Sequence, residues 1–185
     1  MNINIDPGSL IIAPPGIPDK RFQNSVMLMS HKFRGGTVGL CVNRPTDYTV
    51  KDILIDTGIN ATLNFPLYWG GPVNQTTIWM LHSTDWKIDH TMEISSKWSL
   101  TSNIAMFYHL SDNDVPKNFR MMFGHASWAP GQLEAELRGI PPWNPNHSWL
   151  TASEPDPEWL FECPIEDLWN VTAEMSGHQA VDSWL

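Results

Sequence analysis

Apolar and polar positions along the chain alternate between short strand-like runs and a few short helical patterns. Gly8-Ser9-Leu10-Ile11-Ile12-Ala13 predicts a strand stopped by Pro14-Pro15-Gly16, and Asp19 to Gln23 a polar turn or short helix. Ser25 to Met29 and Thr37 to Val42 predict two buried strands joined as a hairpin through a connection containing His31, Gly35 and Gly36. Leu67 to Val73 predicts a strand running into the glycine pair Gly70-Gly71. Ile78 to His82 predicts another strand, Met92 to Ile94 an edge strand, and Phe119 to Phe123 a buried strand ending at Gly124.

Helix signals are local. Thr49 with Asp52 supplies a cap and an acidic third position for a helix through Leu54, and Ser102 or Asn103 caps one through Leu110. Pro130 suits a first helical turn, Leu133 and Leu137 share a face, Glu134 and Arg138 stand four apart, and Gly139 marks the end. Asp156-Pro157 starts a further helix, and Ile165 to Val171 forms the last. Strands interleaved with short helices, without regular alternation of strand and long helix, predict an α+β domain.

The length of 185 residues, 42% of them hydrophobic, suits one domain spanning 1–185 with a substantial core. A net charge of −9, with 11 Lys and Arg against 20 Asp and Glu, disfavours direct non-specific binding to nucleic acid, which relies on clustered cations. There is no apolar run of about 18 residues, and Met1 to Asp6 lacks the charged and apolar regions of a secretory leader, so the expectation is a soluble cytoplasmic protein with no membrane partner. Cys41 and Cys163, far apart and without partner spacing, read as reduced and at least half buried.

Chemical motifs are sparse. Gly35 to Gly39 lacks the Lys-Ser/Thr of a phosphate loop and leads into a strand. The seven histidines, at 31, 82, 90, 109, 125, 147 and 178, form no metal-ligand spacing, and no cofactor motif is present. Ser127, next to the corner after His125, lacks the flanking glycines of a nucleophile elbow. Glu134 and Glu136, two apart on a helix, fall on different faces and read as solvated. Three corners remain that combine permissive backbone with polar or aromatic groups: Asn43-Arg44-Pro45, Gly70-Gly71-Pro72, and Trp128 to Glu134 with Gly131 and Gln132. Together they could form a pocket, with Arg44 for an anion, Trp128 as an apolar wall and Gln132 as a two-way hydrogen bonder.

Those corners, in order with Gly8-Ser9-Leu10, Ala13-Pro14, Phe22, Ser25-Val26, His31, Gly39-Leu40, Leu81-His82, Leu100-Thr101-Ser102, Gly124, Ala126, Trp149-Leu150, Asp156-Pro157-Glu158, Leu160-Phe161 and Trp169, resemble the AlgH/YqgE family of bacterial proteins. The likeness is strongest over 8–169. His125 stands where the family usually has Tyr, Ser127 and Ala129 where it often has Gly, Pro141 to Asn146 resembles an insertion, and the tail 171–185 diverges. The resemblance implies an α+β domain with a curled mixed sheet, including a small barrel, surrounded by short helices. It also implies a role among proteins commonly described as transcriptional regulators. The resulting expectation is a non-catalytic regulatory or adaptor protein acting through an unidentified protein partner or small ligand at Asn43, Arg44, Gly70, Gly71, Pro72, His125, Trp128, Gly131, Gln132 and Glu134. The alternative is a small hydrolase or transferase with His82 or His125 as general base near Arg44. A third reading, sequence-specific DNA binding, would show affinity falling steeply with salt.

Overall fold

The computed structural model describes residues 5–33, 36–55, 57–59, 64–143 and 148–176. The hairpin connection at Gly35, the insertion's Asn144 to Asn146, His147, His178 and the tail beyond residue 176 lie outside them.

The apolar runs near the amino terminus are continuous because both faces of those strands are covered. β1 (Leu10–Ile12) pairs antiparallel with β2 (Val26–Phe33), which pairs with β3 (Gly36–Cys41) as the expected hairpin. Leu10, Ile12, Val26, Leu28 and Leu40 enter one core cluster, together with Trp98, Leu160 and Leu168. The alternate residues Ile11, Met27, Met29 and Cys41 enter another, with Trp128, Leu133 and Trp149. A third cluster gathers Val50, Leu67, Met80, Met106 and Met121.

The sheet is organised by β9 (Phe119–Trp128). The sequence pattern ends this strand at Gly124, but the strand runs four residues further. Gly124 adopts a left-handed φ of +69°, so it pivots the strand without stopping it. Before the pivot, β9 pairs in parallel with β5 (Pro66–Trp69) and antiparallel with β6 (Val73–Ser83), whose Val73 also pairs with His125 just past it; Ala126 to Trp128 then pair with β3. The full order is β10 (Leu150–Ala152), β1, β2, β3, β9, β6, β8 (Trp98–Thr101), β7 (Met92–Glu93), with β4 (Pro45–Thr49) attached through β5. This is a curled mixed sheet, a half-barrel with short helices around it. β6 is longer than Ile78 to His82 because its first half is polar and exposed, which masks the strand pattern. β4 and β10 carry too little alternation to be read from sequence.

The helices follow their local signals. α1 (Val50–Leu54) has a capping box in which the Asp52 carboxylate accepts from the Thr49 backbone N–H at 2.7 Å, which holds the Asp52 carboxyl below its usual range. Asn103 caps the start of α2 (Ala105–Ser111) by accepting from Ala105 N–H at 2.9 Å. α3 (Gln132–Leu137) begins two residues after Pro130, which sits in the preceding turn. It ends with Ile140 N–H bonding to Ala135 C=O and Gly139 N–H to Glu136 C=O, a Schellman closure on the left-handed Gly139. α4 (Pro157–Glu162) has Asp156 as its N-cap and Pro157 in its first turn. α5 (Leu168–Met175) starts three residues later than Ile165, after a turn.

Candidate functional site: an aromatic pocket where the shared strand meets a helix

The second corner is a crossing of two backbones. A Cβ on Gly70 would lie 2.4 Å from the Gly124 carbonyl oxygen, one on Gly71 would lie 2.1 Å from His125 C, and one on Gly124 would lie 2.3 Å from the Gly71 carbonyl oxygen. Only glycine on both sides permits that approach. Hydrogen bonds from Gly70 N–H to Phe123 C=O, and from Cys41 N–H to Gly70 C=O, both at 2.8 Å, fasten the crossing. It sets Pro72 and Val73 against the last residues of β9.

Beyond it lies a cavity of about 430 Å³, lined chiefly by Phe22, Pro72, Trp128, Gln132, Glu136 and Trp149, with Asp19, Arg21 and Trp143 also on its wall. The pocket thus brings together Pro72, Trp128 and Gln132 from the sequence-predicted set. One lining residue, Glu136, is expected from the sequence to be solvated. Glu136 is only 9% exposed. Its Oε2 accepts the indole N–H of Trp128 at 3.1 Å and of Trp149 at 2.8 Å, and its Oε1 accepts from Gln132 Nε2 at 2.9 Å. Burying a carboxylate without such donors would be costly, and here three N–H groups replace its water. Gln132 completes the turn by accepting Ala129 N–H at 2.9 Å through its own Oε1. The signal for Glu136 was present in the sequence, since Leu133, Glu136 and Leu137 occupy i, i+3 and i+4 of one helical face.

The first corner does not enter the pocket. Asn43 works as a piece of strand: its Oδ1 accepts Val26 N–H at 2.8 Å and its Nδ2 donates to Asn24 C=O at 2.8 Å. Arg44 donates to the carbonyls of Arg21 and Gln23, the latter at 2.7 Å, and its guanidinium lies 5.1 Å from the Trp69 ring centroid. It lines a separate groove with Ile165, Glu166 and Trp169 and does not line the cavity beside Trp128. Its influence on the pocket is indirect, because the turn it clamps carries Phe22. Arg21, which does line the pocket, is forked onto the Asp19 carboxylate at 2.7 to 3.1 Å, and this hydrogen bonding holds the Asp19 carboxyl below its usual range.

Gly131 sits at the N-cap of α3 with φ +76°, a backbone role, while Glu134 lies on the same helix away from the pocket lining. His125 points away from Trp128, as strand alternation requires, and meets Trp79 edge-on at 6.2 Å. Its Nδ1 has no hydrogen-bond partner, and burial pushes its pKa down. His82 is fully buried: Nδ1 faces the Ser83 carbonyl at 2.8 Å and Nε2 the Thr101 hydroxyl at 2.9 Å, which in turn bonds Thr91 at 2.8 Å. The carbonyl requires the proton on Nδ1, so Nε2 accepts, and burial again lowers the pKa. Among the described residues, no group of three His, Cys, Asp or Glu side chains is placed to hold a metal ion, and no helix is long and apolar enough to cross a membrane. Cys41 and Cys163 are free thiols, the first buried and the second half-buried.

A half-barrel α+β scaffold with an aromatic pocket at its pivot strand defines the class. The chain belongs to the AlgH-like family, whose family model matches residues 10–180. It is 33% identical over 178 residues to a UPF0301 protein of Vibrio atlanticus, covering 92% of this chain and 91% of that protein. It is 31% identical over 180 residues to a UPF0301 protein of Ruegeria pomeroyi, covering 94% and 93%. The solution structure of the AlgH protein from Pseudomonas aeruginosa superposes with a TM-score of 0.73 at 24% identity, over 96% of this chain and 93% of that one. A crystal structure from Corynebacterium diphtheriae gives the same TM-score at 19% identity, over 98% and 93%. These two likenesses concern the fold.

Proposed function

We propose that this protein is a non-catalytic regulatory or adaptor protein of the AlgH type, acting in the cytoplasm, whose activity is set by a small ligand bound in the pocket between Pro72, Trp128 and Gln132. The observation that carries this reading is the cavity itself. At about 430 Å³ it falls within the range of small-molecule sites, roughly 300–1,000 Å³. Its wall carries the aromatic rings of Phe22, Trp128, Trp143 and Trp149, and the Glu136 carboxylate on that wall is fixed by three hydrogen bonds before any ligand arrives. With a net charge of −9, a regulator of transcription built this way works through another protein and not by gripping phosphates.

The hydrolase or transferase reading has less support. His82 has both ring nitrogens occupied inside the core, His125 faces Trp79, and neither lies beside Arg44 or lines the pocket. The test is a thermal-shift screen against a chemically diverse set of small molecules. At least one class is expected to raise the Tm of the native protein and to lose that effect in Trp143→Ala, which alters the half-buried wall of the cavity. A screen with no stabilising class, or a shift that survives Trp143→Ala, would overturn the proposal.

A further inference from the structure

The shape and charge of the pocket narrow the ligand class, on the reading that the cavity is a ligand site. Phe22 meets Trp149 with ring centroids 5.8 Å apart at 68°, and Trp149 meets Trp128 at 5.9 Å and 82°. These edge-to-face contacts turn successive rings in different directions, so the aromatic surface on the cavity wall is not a single flat face. Trp143 adds a fourth aromatic wall.

The electrostatics point the same way. The charged groups on the wall are Asp19, Glu136 and Arg21, which sum to −1. Arg21 is taken by Asp19, so the uncompensated charge is that of Glu136, and no cation pairs with it among the described residues. Both Trp128 and Trp149 donate their indole N–H to Glu136, which puts its negative charge against the two ring systems and enriches their faces in electron density. A ring face is already the negative region of an aromatic side chain. Glu136 Oε1 accepts a single hydrogen bond and keeps acceptor capacity. An anion entering this space would meet a like charge, and a neutral apolar guest would leave the carboxylate unneutralised.

We infer that the pocket is an aromatic cage for an organic cation, specifically the alkylated ammonium head group of a small molecule. Aromatic walls attract such a group through its diffuse positive charge, and the tucked-away carboxylate supplies the counter-charge without a direct ion pair.

The test compares choline with 3,3-dimethyl-1-butanol, which has the same shape with carbon in place of the charged nitrogen. Binding is followed by tryptophan fluorescence and by the indole N–H resonances of Trp128 and Trp149. Choline is expected to bind about tenfold more tightly than the neutral isostere and to shift both indole resonances. Glu136→Gln, which keeps a carbonyl acceptor for the indoles, is expected to erase that preference. Phe22→Leu removes one aromatic wall without touching the Glu136 hydrogen bonds, and serves if Glu136→Gln does not fold. It should weaken choline about fivefold and leave the isostere unchanged. Equal binding of the two probes, or a preference that survives both substitutions, would overturn the cation assignment while leaving the ligand pocket in place. If neither probe binds and the diverse screen yields no stabilising class, the pocket reading falls as well.

Discussion

His82 and Glu136 are both titratable, both nearly or wholly out of solvent, and both held by hydrogen bonds, yet their partners come from different surroundings. His82 closes its bonds within the core, in a line from Ile88 N–H through Thr91 and Thr101 to Nε2, and from Nδ1–H to Ser83 C=O. Both ring nitrogens are occupied, and His82 itself is wholly buried. Glu136 is met by three donors that come from the walls of a cavity, and an acceptor site remains. A satisfied buried polar group is structural when its partners are core. When its partners are the walls of an opening, the same satisfaction becomes preorganisation for a guest.

The severest way to break that contrast is to remove the crossing that creates the opening. Gly71→Ala drives a Cβ into His125 backbone, and we expect a loss of about 4 kcal/mol or more, enough to unfold an ordinary domain, read as loss of the cooperative melting transition. Glu136→Leu is next. It strands two buried indole N–H groups, and urea denaturation should show a loss of about 2–4 kcal/mol together with loss of ligand response. His82→Leu leaves the Ser83 carbonyl and Thr101 hydroxyl without their partner and should cost about 2 kcal/mol, yet keep the pocket's ligand response. A ligand response lost equally in both variants would erase the distinction between the two centres.

Acidity gives a gentler test. Burial holds His82 and His125 below the ordinary histidine value of 6.5, so below that pH the unfolded chain takes up protons that the native state refuses. The stability these residues contribute is present above 6.5 and is lost as pH falls through it. Tm should therefore drop between about pH 7.5 and about pH 5.5, with a shallower drop in His82→Gln. The smallest effect is expected from Arg44→Met. Loss of its bonds to the turn carrying Phe22 should cost about 1–2 kcal/mol and weaken ligand binding only slightly, because Arg44 positions the rim and does not line the pocket.

What sequence made legible was local. Thr49 with Asp52, Asp156 with Pro157, and Gly139 announce their helix ends because each signal and its effect lie within one turn of chain. Sequence ends β9 at Gly124 because glycine usually punctuates. Whether a glycine stops a strand or pivots it depends on what crosses it, here Gly71, more than 50 residues away in sequence by the numbering. The site was half legible for the same reason. Trp128 and Gln132 share a corner, but Phe22 comes from a distant 3-10 turn and Trp149 from the loop before β10. Beside Glu134, on another face, Glu136 looks like a solvated charge; only its helical spacing from Leu133 and Leu137 marks the buried face it shares with them. Arg44 carried no local sign that its guanidinium would be spent on carbonyls of the Phe22 turn.

The pivot strand also governs how the molecule comes apart. The backbone of β9 is shared among β3, β5 and β6, so its loss would undo pairing on both sides of the half-barrel. Amide protons of Met121 to Phe123 should be among the slowest to exchange with solvent, released only by global unfolding, whereas those of the edge strand β7 should exchange through local fraying. A protein assembled on one common strand is expected to denature as one cooperative unit, and a guest bound in the proposed pocket at the end of that strand is expected to slow exchange throughout the sheet.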